Sequence, residues 1–377
     1  MKRREFLRAG TGAGAVALAG CAGAGGGDGT TTTETTTTTT STSTRTTTAD
    51  PYSGTLTVAT YQPFVDAPSV SPGGWIKESF EAEYPDATLE WATPDSELNY
   101  YIQRRQRDVD IDADVYVGMN ADDLVRIDDN LGDTALFDTV ELSDLENADH
   151  VRDDLRFDPQ DRAIPFDTGY ISLVYDGTAV ENPGTFEALT GDAYDGKLIV
   201  QNAQTSDTGQ AFLLWTIATL GEDAYLDYWD RLVANDVRIL RSWSSAYTAY
   251  SNGEAPIVVS YSTDQVYASR SDQNLEEHQV GFLNDQGYAN PEGMARFADT
   301  DKPELATAFM EFMLSVEAQS QIPVLNVSFP AVDNANLPED FSRYAFEPPE
   351  AVTHSYDELA ANLDTWVEDW ARRIATK

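Results

Sequence analysis

Short apolar runs alternate with helix-like runs along most of this chain, beginning near residue 54. We predict the first strands and helices, in chain order, at 56–61, 75–83, 87–92, 95–107, 113–118 and 121–128. Alternation of this kind predicts parallel β-α-β units and therefore an α/β fold. Ligands bind outside the carboxyl ends of such strands, so Tyr61, Asp95 and Asn120 are candidate site residues. We expect Asp95 to cap the helix that begins there.

A second α/β block begins near Ile164 and runs to about residue 289. The chain is 377 residues long, enough for two lobes with separate hydrophobic cores. We predict one lobe from 54–164 and 290–340, a second lobe from 165–289, and C-terminal helices in 350–376. A cleft between two lobes is the natural place for a small molecule.

The N-terminus has the features of an export signal. Arg3 and Arg4 form a twin-arginine pattern, and a weakly apolar stretch follows it to Gly20. Leu-Ala-Gly then precedes Cys21, the single cysteine of the chain, as in a lipidation site. We therefore predict a signal peptide at 1–20 and a lipidated Cys21, which would anchor the protein to the outer face of the membrane. The Thr-rich segment 21–50 is predicted to be a disordered stalk.

The formal net charge is -40, and the acidic residues are scattered along the sequence. This pattern is typical of a solvated surface adapted to high salt. Clustered lysine and arginine, which phosphate backbones require, are lacking, so nucleic acid is excluded as a partner. At about 1 M salt the screening length is only about 3 Å, so the charge would not steer a ligand over distance.

Several strings in the sequence occur in a fixed order. They are Ala113-Asp114-Val115, Pro165-Phe166-Asp167-Thr168-Gly169-Tyr170, Thr205-Ser206, Trp243-Ser244-Ser245-Ala246-Tyr247, Ser260-Tyr261-Ser262-Thr263 and Lys302-Pro303-Glu304-Leu305-Ala306. In this order and spacing the chain resembles the thiamine-binding subgroup of type II periplasmic solute-binding proteins. The resemblance implies a two-lobe fold with a ligand cleft between the lobes. It also implies a binding protein, without cofactor, that delivers its ligand to an ABC permease.

The resemblance also implies ligand-contacting positions. These are Asp95, Ser96, Ser206, Asp207, Trp243, Tyr261, Ser262, Thr263 and Asp264, with Tyr61 and Tyr267 as further aromatic walls. Thiamine carries a permanent positive charge and a flat ring, and both are attracted to aromatic faces. The carboxylates would balance the charge, and the hydroxyls would donate or accept hydrogen bonds. We expect free backbone amides near Ser96 to favour an anionic group.

Three departures from the family pattern matter. The loop 62–74 is longer, and Val327 stands where the family has a tryptophan. Asp207 replaces a hydroxyl residue beside the expected phosphate, so we predict that unphosphorylated thiamine binds better than its phosphates. Asp167 is interpreted as interlobe structure and not as a ligand contact.

Other functions remain open on the sequence alone. A polyamine would require several carboxylates facing the cleft, and ferric iron would require paired tyrosines, for which Tyr261 and Tyr267 are candidates. An extracellular enzyme or a surface-layer adhesion protein is a further alternative. No Gly-x-Ser-x-Gly elbow, phosphate loop or nucleophilic cysteine supports catalysis. The acidic run 108–114 lacks the glycine and glutamate of a calcium loop.

Overall fold

The computed structural model describes residues 50–67 and 70–375. The predicted signal peptide, Cys21 and nearly all of the stalk lie outside these residues. In the described part, the strands are β1 (Gly54–Ala59), β2 (Ala87–Ala92), β3 (Val115–Met119), β4 (Ile164–Tyr175), β5 (Leu198–Gln201), β6 (Arg238–Leu240), β7 (Ile257–Tyr261), β8 (Gln279–Gly281), β9 (Gln286–Arg296), β10 (Phe329–Pro330) and β11 (Glu350–Val352).

The helices alternate with these strands. They are α1 (Gln62–Val65), α2 (Gly73–Glu83), α3 (Leu98–Gln106), α4 (Ala121–Leu131), α5 (Phe186–Leu189), α6 (Asp207–Leu220), α7 (Tyr225–Ala234), α8 (Trp243–Ser251), α9 (Asp264–Arg270), α10 (Pro303–Leu314), α11 (Val316–Asn326), α12 (Glu339–Ser342) and α13 (Tyr356–Ala375). The described helices include none that is both long and apolar enough to cross a bilayer.

Two parallel groups of strands are joined by two long antiparallel strands. The strand order is β2-β1-β3-β9-β4-β7-β5-β6. Strands β1, β2 and β3 pair in parallel, as do β5, β6 and β7. Strands β4 and β9 pair antiparallel between the two groups and so connect them. The predicted α/β fold is confirmed.

Each parallel group has its own hydrophobic core. Phe64, Phe80 and Phe309 belong to the core around β1 to β3. Trp215 and Trp229 belong to the core around β5 and β7, which the C-terminal helix α13 also covers. Burial of these large side chains, at about 25 cal/mol per Å² of apolar surface, stabilises each core separately. A ligand can therefore bind between the two cores without disturbing either of them.

Local details of the sequence prediction need correction. Asp95 does not cap a helix, because residues 95–97 form a turn and α3 begins only at Leu98. The backbone at Glu97 has φ 47, which interrupts the helix that was predicted from 95. The predicted C-terminal helices are one strand, β11, followed by one long helix, α13. The predicted lobe bounds fall at the start of β4 and inside β9, and they stay a prediction.

Candidate functional site

A cleft of about 420 Å³ lies where the carboxyl ends of several strands meet β4 and β9. Its volume is in the range of small-molecule sites. The wall comprises Tyr61, Pro63, Glu97, Leu98, Asn99, Tyr116, Gly118, Asn120, Asp123, Arg126, Asp167, Gly169, Asp207, Trp243, Ser260, Tyr261, Thr263, Asp264, Tyr267, Asn290, Glu292, Asn326, Val327 and Ser328. Both strand groups and both connecting strands therefore contribute to it.

Trp243 is the first residue of α8 and forms one aromatic side of the cleft. The side chain of Ser242 caps this helix by accepting from the backbone N–H of Ser245. The indole Nε1 donates to Ser260 Oγ at 3.0 Å, and the ring stacks on Tyr247 with centroids 5.0 Å apart. Contacts on two sides hold the indole in one orientation, so its exposed part is preorganised for a ligand.

Two tyrosines approach the backbone of neighbouring strands closely. The Tyr61 ring lies over Gly118, whose φ is +94, and the Tyr261 ring lies over Gly169. A Cβ at Gly169 would stand 2.8 Å from Tyr261 Cδ1, and one at Gly118 would overlap the Tyr61 ring. The two glycines therefore allow both rings to line the cleft.

The cleft is strongly acidic. The carboxylates on its wall are Glu97, Asp123, Asp167, Asp207, Asp264 and Glu292, whereas Arg126 is the one lysine or arginine among the described lining residues. Burial raises the pKa of Asp207, and burial together with the charge of Asp122 raises the pKa of Asp123 to about 8. Arg126 forms an ion pair with Asp123. The charge of this site therefore favours a cationic ligand.

Asp264 is held by two side chains behind the cleft wall. Tyr247 donates to its Oδ1 at 2.5 Å, and His278 Nδ1 lies 2.8 Å from its Oδ2. The residue is only 4% exposed, at the first position of α9. Because Tyr247 also stacks on Trp243, one side chain supports both the indole and this carboxylate.

The structure brings together eight of the predicted site residues: Tyr61, Asn120, Asp207, Trp243, Tyr261, Thr263, Asp264 and Tyr267. The other predicted residues are not on the cleft wall. Asp95 and Ser96 lie in the exposed turn before α3, so Ser96 does not present the first amides of a helix. Ser206 precedes the first turn of α6, and the Ser262 side chain is fully buried.

Sequence reasoning missed several polar residues of the wall, including Asp123, Arg126, Glu292 and Asn326. Asp167 was interpreted as interlobe structure, and it does lie on a connecting strand, but it also faces the cleft. The sequence does contain a signal for Asp167, which is a carboxylate inside the apolar strand 164–175. A charge buried in a strand is unfavourable without a partner, so its presence there indicates a function. Glu292 had no such local signal. The described residues contain no group of three or more His, Cys, Asp or Glu side chains arranged to hold a metal ion.

Comparisons with known proteins agree with this architecture. Residues 75–348 match the family model of the bacterial extracellular solute-binding proteins. The thiamine-binding periplasmic protein of Escherichia coli K12 is 29% identical over 321 residues, which cover 85% of this chain and 93% of the relative.

Among solved structures, a periplasmic thiamin binding protein matches with a TM-score of 0.72 and 27% identity. That match covers 85% of this chain and 96% of the other. A ferric binding protein from Campylobacter jejuni matches with a TM-score of 0.67 over 84% of this chain and 99% of that one. Its 17% identity supports the fold alone.

These matches are to binding proteins and not to enzymes, and they confirm the predicted two-lobe periplasmic-binding-protein fold. The family model covers most of the described chain, from within α2 to the segment just before β11. The protein is thus a solute-binding component of transport that works outside the cytoplasm. The chain belongs to the bacterial extracellular solute-binding protein family.

Proposed function

We propose that this protein captures thiamine and delivers it to the permease of an ABC-type importer. The relatives named above are thiamine-binding proteins, and the cleft has the chemistry that thiamine requires. The ligand would lie against Trp243, Tyr261 and Tyr267, with Asp264 and Asp207 near its positive charge. Closure of the two strand groups about β4 and β9 would then enclose the ligand.

One observation carries this proposal: a preoriented indole and six carboxylates, of which Asp167 and Asp264 are buried, line the same cavity. A cation over an aromatic face gains about 0.5–1 kcal/mol at an exposed site and about 2 kcal/mol where water is excluded. A flat aminopyrimidine can stack on the same kind of surface. A neutral sugar would leave the carboxylates without a charged partner, so an aromatic cation fits this site better.

We further propose that the protein is held at the outer face of the membrane by a lipid on Cys21 and that segment 21–50 acts as a spacer. The support is the Leu-Ala-Gly-Cys string behind the twin-arginine pattern and the low-complexity composition that follows. Intact-mass analysis of protein purified from membranes tests this. A mass that includes acyl chains on Cys21 is expected, and an unmodified Cys21 in the membrane fraction contradicts it.

Titration calorimetry with thiamine in multimolar salt tests the ligand. We expect one-to-one binding, and we expect Trp243→Ala to weaken it by at least about tenfold because the cation–aromatic contact is lost. Trp75→Ala is the matched control, since this indole packs on Phe312 and does not line the cleft. Equal losses of thiamine affinity in both variants would indicate general destabilisation. The absence of binding heat with thiamine would show that thiamine is not the ligand.

A polyamine is the second candidate, because the structure meets the condition of several carboxylates facing the cleft. Its extended chain of ammonium groups would pair with the carboxylates but would gain less from a stacked indole. Competition between spermidine and thiamine separates the two proposals. Spermidine that binds more tightly than thiamine, with little effect of Trp243→Ala, would support the polyamine.

A further inference from the structure

Asp167 and Glu292 form a pair of carboxylates on the floor of the cleft. They are direct partners in the antiparallel ladder between β4 and β9. Partners across a ladder project from the same face of the sheet, with Cβ atoms about 4.5–5.5 Å apart. Both side chains line the cavity. The pair therefore lies on the two strands that connect the halves of the molecule.

The hydrogen-bond partners of the pair are uncharged. Asp167, only 1% exposed, accepts from Asn326 Nδ2 at 2.8 Å and from Ser328 Oγ at 2.7 Å. Glu292 accepts from the Tyr61 hydroxyl at 3.1 Å. Within the described residues, neither carboxylate forms an ion pair with a lysine, arginine or histidine. Asp167 is buried and Glu292 is half-buried, and two neighbouring like charges without a counter-ion are unfavourable. This arrangement therefore favours a proton or an external cation.

The surrounding elements supply further acidic groups. Tyr61 from the loop after β1, Tyr261 from β7, Asp207 from α6 and Asp123 from α4 are the titratable groups that face the pair. The one guanidinium on the described wall, that of Arg126, is paired with Asp123. Burial and the charges of Asp167, Asp207 and Asp123 raise the pKa of Glu292 well above its usual range, although the hydrogen bond from Tyr61 lowers it. Burial raises the pKa of Asp167 to about 6.

A second polar group of the same cavity lies where a bound ligand could contact it. Thr263 is only 2% exposed and lines the cleft at the start of α9. Its hydroxyl makes no capping hydrogen bond to α9, so this group is available to a ligand in the cleft. A ligand with polar groups would satisfy both this hydroxyl and the carboxylate pair.

We propose that Asp167 and Glu292 form a cation-exchanging subsite that holds a proton when the cleft is empty and releases it when an organic cation binds. The released proton goes to bulk water, and the positive charge of the ligand takes its place beside the two carboxylates. No covalent bond forms or breaks in the ligand. This inference rests on the proposed function only in requiring a cationic ligand.

The expected signature is proton release on binding. If one proton leaves for each ligand bound, the association constant rises by about tenfold per pH unit until the pair is ionised. Because the ligand stabilises the ionised form, affinity increases with pH. If the pair is ionised both with and without ligand, or protonated both with and without ligand, binding releases no proton.

Calorimetry of the full chain with thiamine, in buffers of different ionisation enthalpy at pH 7, measures the number of protons released. About one proton per thiamine is expected for the wild type, and almost none for Glu292→Gln. Glu78→Gln, on the exposed face of α2, is the matched control and should behave as the wild type. Equal release from Glu292→Gln and the wild type, or none from either, would overturn the proposal. Thermal unfolding of each variant confirms that it is folded.

Infrared spectroscopy of the ligand-free protein separates this inference from the identity of the ligand. We expect a protonated carboxyl C=O band at pH 7 in the wild type that is weaker in Glu292→Gln, because Asp123, with a pKa of about 8, also contributes to this band. If thiamine fails to bind while this difference between the two proteins is present, the choice of ligand is wrong and the protonated pair stands. An equal band in the wild type and in Glu292→Gln would overturn the subsite whatever the ligand.

Discussion

Asp207 occupies the first position of α6 and lines the cleft near Arg126, whose charge lowers the pKa that burial raises. Glu97 adds a second carboxylate close to Asp207, and Arg126 is the one cation on the described wall, so a phosphoryl group would be repelled. We predict that thiamine binds more tightly than thiamine diphosphate. Asp207→Asn should reduce the ratio of the thiamine and thiamine diphosphate association constants by roughly tenfold, and Arg126→Gln should increase this ratio. Equal or tighter binding of the diphosphate to the wild type in calorimetry would contradict this prediction.

The raised pKa of Asp167 predicts how the free energy of unfolding depends on pH. Burial raises its folded-state pKa to about 6, above the value of about 3.9 for an unfolded chain. Between about pH 4 and pH 6 the folded state therefore binds more protons, and its stability falls as the pH rises. Relative to Asp167→Asn, the wild type should lose up to about 3 kcal/mol of unfolding free energy across this window.

Denaturant unfolding at pH 4 and pH 7 measures this difference. Asp149→Asn, an exposed substitution, is the control and should follow the wild type at both values. A constant difference between the wild type and Asp167→Asn at the two pH values would show that Asp167 does not titrate in this window.

At the scale of elements, the start of α3 contains a strained backbone. Glu97 has φ 47 and ψ -130, a region that costs a residue with a side chain about 1–3 kcal/mol. Glu97→Gly should therefore raise the free energy of unfolding by about 1 kcal/mol, measured by denaturant titration. Glu97→Ala removes the same carboxylate but keeps the Cβ, so it should give no such gain. Equal gains in unfolding free energy in both variants would show that loss of the carboxylate charge, and not relief of backbone strain, causes the effect.

For the whole molecule, the net charge of -40 predicts a dependence on salt. Self-repulsion destabilises the compact state and is screened as the salt concentration rises. We expect the melting temperature to rise by several degrees between about 0.1 M and about 2 M KCl. Sucrose, which adds no ions, is the control for general solvent effects. A melting temperature that does not change with KCl would show that repulsion is not limiting.

Features of the fold and the cleft that depend on neighbouring residues could be predicted from the sequence. Features that depend on residues far apart in the chain could not. Trp243 and Tyr261 were predicted as ligand contacts from the order of the motifs, which is a property of the sequence, and both lie on the cleft wall. The predicted cap at Asp95 was wrong, because the turn at 95–97 gives Glu97 a positive φ that propensity did not indicate. Asp167 and Glu292 are far apart in the chain, and only strand pairing makes them neighbours.

The sequence by itself determined the α/β class, the family and the acidic character of the protein, because periodicity, motif order and charge are properties of the chain alone. The tertiary structure decided which polar groups share a cavity. The register of β4 on β9 places two carboxylates side by side, and the start of α3 leaves Asp95 and Ser96 outside the cleft. Contacts between distant residues arise from packing and pairing in three dimensions, which local patterns do not specify.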